Sequence, residues 1–140
     1  MKKFIWFIFC ALLFASCAQT EDEKAASLLS RIKILYNKGN FAEVLDSITA
    51  LRTKFPKAIE SRKQALHLWQ NASLKLAQED VAKTDSALQA MLKTIPQQSN
   101  LYRANMMRAE CDSLKARYEA MCGVVRMIRI RQKQELQPQK

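Results

Sequence analysis

Apolar residues recur along two long stretches of this chain at alternating steps of three and four. The first run is Leu74, Ala77, Val81, Thr84, Leu88, Met91 and Ile95. The second is Ala104, Met107, Cys111, Leu114, Tyr118, Met121, Val125 and Ile128. These are heptad a and d positions, and they predict two amphipathic helices. Between them lies Pro96-Gln97-Gln98-Ser99-Asn100, a proline break followed by polar residues, with Ser99 as the expected N-cap. Folding the arms about that turn brings Ile95 to Ala104, Met91 to Met107, Leu88 to Cys111 and Thr84 to Leu114. It also brings Val81 to Tyr118, Ala77 to Met121 and Leu74 to Val125. Two runs in mirror register predict a long antiparallel helical hairpin over 57–134, with the turn at 96–100. Its arms are roughly 40 to 55 Å long at 1.5 Å per residue.

A shorter pattern precedes it. Leu28, Leu29, Ile32, Leu35 and Tyr36 recur at helical spacing, and Gly39 is a natural C′ stop. Asn40 is an N-cap candidate with Glu43 three residues on, as in a capping box. Phe41, Val44, Leu45, Ile48 and Leu51 form the apolar face of the next helix, which Phe55-Pro56 ends. The turn is short, so the two helices pack antiparallel. Leu66 and Trp69 are the expected junction between this hairpin and the base of the long one.

Two segments admit a choice. Phe41-Ala42, Ala50-Leu51 and Phe55-Pro56 are echoed forty residues later by Val81-Ala82, Ala90-Met91 and Ile95-Pro96. A true repeat would break the chain near Glu79-Asp80. With no Gly or Pro between Lys57 and Ile95, one long helix is preferred. Val124 to Arg131 alternates apolar residues with arginine and reads as helix or strand. Helix is preferred, because no second strand candidate exists to pair with it. Gly123 marks a kink or an end, and the polar stretch from Gln132 to Lys140 is expected to fray.

Tyr36-Asn37-Lys38-Gly39-Asn40-Phe41, with Val44, Ile48, Leu51 and Pro56, resembles the second half of a tetratricopeptide repeat. The interval of 17 residues from Gly39 to Pro56 fits, whereas Ile32 stands where that motif wants a small residue. Such repeats are protein-interaction scaffolds, and the resemblance implies that role.

The first residues carry a different pattern. Lys2-Lys3 is followed by an unbroken apolar run of 12 residues from Phe4 to Ala15. That is too short to span a membrane, which takes about 20 residues, and suits a signal peptide. Phe14-Ala15-Ser16-Cys17 resembles the lipobox of bacterial lipoproteins, with Phe14 where leucine is usual. The resemblance implies cleavage between Ser16 and Cys17. It also implies a diacylglyceryl group on the Cys17 thiol and an acyl chain on its amine, a durable tether. Residue 18 is Ala rather than the Asp that retains enteric lipoproteins at the inner membrane, which favours the outer membrane. Glu21-Asp22-Glu23 is similar to the acidic surface-export signal of Bacteroidota lipoproteins. It equally suits the first turn of a helix, where carboxylates meet the positive end of the dipole.

Charge and cysteines add limits. The chain has 140 residues and a formal net charge of +10, or +8 without Lys2 and Lys3. The basic residues are spread from Lys24 to Lys140, as on solvated helix faces, so nucleic acid is not the expected partner. Cys10 falls in the leader and Cys17 at the processing site. Cys111 and Cys122, eleven residues apart on one helix, are separated by roughly 16 Å and cannot bridge each other. Cys111 lies on the seam and should be buried; Cys122 lies beside it.

No catalytic constellation emerges. His67 is the one histidine, two glycines cannot build a phosphate loop, and Glu79, Asp80 and Asp85 have no placeable carboxylate partners. Arg126, Arg129, Arg131 and Lys133 form the densest basic cluster, either a solvated helix end or a contact for an anionic headgroup or acidic partner. The expected organisation is a leader at 1–16, a lipidated tether at 17–24, a tetratricopeptide-like hairpin at 25–56, the long hairpin at 57–134 and a disordered tail at 135–140. The expected protein is all-α and not an enzyme, with no cofactor beyond the lipid on Cys17. It is held at the outer membrane by that anchor and acts as a scaffold for an envelope protein. The alternative is a self-associating coiled-coil spacer or tether, a homo-oligomer.

Overall fold

The computed structural model describes residues 20–136, and the fold within them is all-α. The leader, Ser16, Cys17 and residues 137–140 lie outside the described residues. Four helices follow in order: α1 (Glu21–Asn37), α2 (Phe41–Lys54), α3 (Ile59–Thr94) and α4 (Leu101–Leu136). A 3₁₀ turn, Ile95–Gln97, links the last two. Among the described residues, α1, α2 and the lower half of α3 pack on one another. α4 packs against α3 and the turn alone. The molecule is therefore a three-helix base from which a two-helix arm extends.

The base core is Leu29 and Ile32 from α1, Val44, Ile48 and Leu51 from α2, and Ala65 and Ala72 from α3. Ile32, Ile48, Leu51 and Val44 are the largest fully buried side chains, each worth about 1.5–3 kcal/mol. On α3, Ala58, Ser61, Ala65 and Ala72 are buried instead of the large residues beside them. Their small volume lets the two short helices sit close to the α3 backbone. Leu66 and Trp69, expected at this junction, are partly exposed, and the Arg52 guanidinium lies 5.9 Å from the Trp69 ring centre. The expectation followed side-chain size, whereas the packing selected the small-residue face.

The α1–α2 turn has the predicted chemistry at its glycine. Gly39 adopts φ +79°. Its N–H donates to the carbonyl of Tyr36 and that of Asn40 to the carbonyl of Leu35, both at 3.0 Å, the Schellman closure. The capping box expected at Asn40 and Glu43 is absent: Asn40 is the N-cap of α2, but its side chain caps nothing. A capping box does form at the start of α1, between Thr20 and Glu23. Glu21 to Lys24 is thus the first turn of a helix and not free tether.

The long hairpin follows the heptads. Every residue of both predicted runs is buried or half-buried. α3 is unbroken through Glu79-Asp80, so the forty-residue echo is not a second hairpin. α4 is helical through 124–131 and continues to Leu136, past the point where fraying was expected. The reason is visible at its last turns. The buried Gln70 amide donates to Glu135 Oε1 at 2.8 Å, and Gln132 Nε2 donates to Asn71 Oδ1 at 2.8 Å. Glu135 and Leu136 therefore belong to α4 and not to a tail. The N-cap of α4 is Asn100, whose Oδ1 accepts from the Arg103 N–H at 3.0 Å; Ser99 lies one residue too early.

Candidate functional site

Three regions bear on function: the base, where the chain emerges from residues 17–19, a basic groove on lower α4, and the hairpin tip.

At the base, Asp22 on the first turn of α1 reaches across to the first turn of α3. Its Oδ1 accepts the Ser61 N–H at 2.7 Å, and the Ser61 hydroxyl donates to the Asp22 carbonyl at 3.5 Å. The N-cap of α3 is Ala58, which has no capping side chain, so a carboxylate 39 positions earlier in the chain supplies the missing acceptor. The backbone N–H of Ser61 holds the Asp22 carboxyl below its ordinary pKa, with smaller help from the Ser61 hydroxyl and the neighbouring amides. Nothing in the heptad pattern marks this contact. The available signals were an α3 without a capping residue and an acidic triplet near Cys17.

The predicted basic cluster divides. Arg126, Arg129 and Lys133 line one open groove of about 350 Å³ with Cys122, Val125 and Ile130. Arg131 stands apart, with its Nε 3.8 Å from Glu135. The helical steps of three and four explain the division, since positions 126, 129 and 133 share a face and 131 does not. The groove combines three cations with an apolar floor, the composition that suits an anionic headgroup on an acyl chain or an acidic amphipathic segment.

At the tip, Leu92, Leu101, Tyr102 and Met106 are exposed, with Tyr102 at 74% and Met106 at 57%. Ser61 and Thr94 are separated by about 50 Å along α3 at 1.5 Å per residue. The tip is therefore the far end of the body from the base.

The remaining chemical side chains are spread along the two helices of the arm. Asp80 receives both Nε and Nη2 of Arg117, a bidentate pair that ties α3 to α4 and raises the arginine's pKa. Cys111 is buried and Cys122 half-buried, both as free thiols. Tyr118 is held above its usual pKa, first by its neighbour Cys122 one turn on and then by Asp85. His67 lines an open groove with Gln70, Asn71, Gln132 and Glu135. Among the described residues no three His, Cys, Asp or Glu side chains gather as metal ligands. No helix of those residues is long and apolar enough to cross a membrane.

No protein-family model, curated protein or solved structure matches this chain.

Proposed function

We propose that this chain is a lipid-anchored protein of the bacterial outer membrane that acts as a non-catalytic interaction scaffold. Acylated Cys17 holds the base at the membrane, and the helical hairpin presents surfaces to another envelope protein. The observation that carries the reading is the distance from the lipobox-like Cys17 to the folded body. α1 begins at Glu21, four residues beyond Cys17, and Asp22 fastens that first turn to α3. A lipid on Cys17 would thus hold a rigid base rather than a loose tail. The apolar tip lies about 50 Å from that base, available to a partner. The α1–α2 hairpin, with its tetratricopeptide-like Gly39 turn, supports the scaffold role. The groove of Arg126, Arg129 and Lys133 supplies a contact for anionic headgroups or an acidic partner segment.

A test of the anchor is incorporation of labelled fatty acid in cells expressing the full chain or its Cys17→Ala variant. Label in the first and none in the second is expected. Equal label in both would overturn the anchor. A second reading, a self-associating spacer, is favoured by one observation, an uncharged outer face of α4 that no other described helix covers.

A further inference from the structure

The starts of α1 and α3 and the ends of α2 and α4 meet at the base. The acids gathered there are largely engaged. Asp22 is held by the Ser61 N–H, Glu23 by the Thr20 N–H, Glu60 by Lys63 and Glu135 by the Gln70 amide, which leaves Glu21. Against it stand Arg52, Lys54, Lys57, Arg62, Arg129 and Lys133. None of these six pairs with a carboxylate among the described residues. Arg52 lies over the Trp69 ring, and Arg62 donates from one nitrogen to the Pro56 carbonyl at 2.6 Å, which leaves its others free. Arg52, Arg62 and Lys63 line an open groove of about 320 Å³ with Ile59 and Leu66. Ile59 is 60% exposed on the first turn of α3. Unpaired cations around exposed apolar side chains are the composition of a surface that lies among lipid headgroups.

Position selects the occupant. α1 begins four residues after Cys17, so a fully extended linker spans at most about 14 Å. Attraction between charges reaches about 8 Å at physiological salt. A bilayer holding Cys17 is therefore within range of the base, and the tip, roughly 50 Å along α3, is not. We propose that the base rests on anionic phospholipid headgroups. Arg52, Arg62 and Lys63 take headgroup phosphates in their groove, where an arginine offers two parallel donors to one phosphate. Ile59 and Leu66 meet the boundary of the acyl chains. Lys54 and Lys57 add charge beside the groove, and Arg129 and Lys133 add it from the last turns of α4. This placement rests on the reading of Cys17 as the anchor and adds what the anchored end touches.

The test is lysine labelling by an amine-reactive reagent, read by mass spectrometry, on the full chain taken from its native membrane into vesicles. One set of vesicles is phosphatidylcholine alone, and the other is equal parts of phosphatidylcholine and phosphatidylglycerol. Labelling of Lys54, Lys57 and Lys63, relative to the exposed arm residues Lys93 and Lys115, is expected to fall several-fold in the anionic vesicles and to recover in high salt. Arg52→Gln combined with Arg62→Gln should lose most of that protection, with helicity by circular dichroism unchanged. Equal labelling in the two vesicles overturns the proposal and leaves these cations to an acidic protein segment. Protection shared by base and arm, or retained in full by the double variant, also overturns it. A chain without the lipid would still be held at the vesicle by its apolar run from Phe4 to Ala15. The mass of the N-terminal peptide in the same digest reads the lipid on Cys17, so a missing anchor and a missing contact are told apart.

Discussion

Single residues in this chain are chosen for space as often as for hydrophobicity. Ala58, Ser61, Ala65 and Ala72 recur at helical spacing and are fully or nearly fully buried, while Trp69 is 38% exposed under Arg52. Small residues carry a weak hydrophobic signal, so this face was not legible from the sequence although its period was present. The two heptad seams were legible because large apolar residues mark them. Gly123 offers a direct test. Gly123→Ala should raise stability by about 1 kcal/mol, since the added methyl meets open space. Chemical denaturation measures it, and a loss of stability would show that the backbone there needs glycine. The two cysteines should also separate. Cys122 should react with a thiol reagent in the native chain, and Cys111 only after denaturant is added, because it is 3% exposed. Equal rates would contradict the burial of the seam.

Each helix owes its ends to a different device. α1 starts with its own capping box, α2 starts beyond a Schellman turn, and α4 starts at Asn100. α3 borrows Asp22 from α1. Local signals place the starts of α2 and α4 to within a residue, whereas α1 begins four residues before the expected 25, and no local signal encodes a cap drawn from 39 positions away. That cap is pH-sensitive. The folded pKa of Asp22 lies below its unfolded value of about 3.9. Its contribution is therefore present above that value and is lost as pH falls through the folded pKa. Native protein should melt higher than Asp22→Asn at neutral pH, and the gap should close under acid. A gap that stays constant down to pH about 2 would show that the carboxylate is not the cap. Within the arm, Leu88 is 8% exposed and Leu114 half-buried. Leu88→Asp should cost about 3 kcal/mol or more, and Leu114→Asp less, because its carboxylate reaches water more easily. Equal or negligible losses in denaturant unfolding would contradict the seam.

At the scale of the whole molecule, stability should fall from base to tip. The base buries Ile32, Val44, Ile48 and Leu51 completely among three helices. The arm is two helices wide, and most of its seam is only half-buried. Amide exchange should therefore be slowest for α2 and lower α3, and fastest near 88–107. Uniform protection would contradict this division. The lower end of α4 is an exception to a simple gradient, since Gln70 and Asn71 hold Glu135 and Gln132. Those contacts hold the helix through Leu136, beyond the point at which composition alone would end it. The proposed function rests on the same layout, a base whose first helix begins four residues after Cys17 in the sequence and a long arm leading away from it. The claim on which this layout depends is the identity of the first residue of the mature chain. Mass spectrometry of the N-terminal peptide of protein taken from its native membrane measures it directly. The account predicts a peptide that begins at Cys17 and carries a diacylglyceryl group and an amide-linked acyl chain. An unlipidated peptide, or one that begins at Met1 or at any residue beyond Cys17, would contradict it.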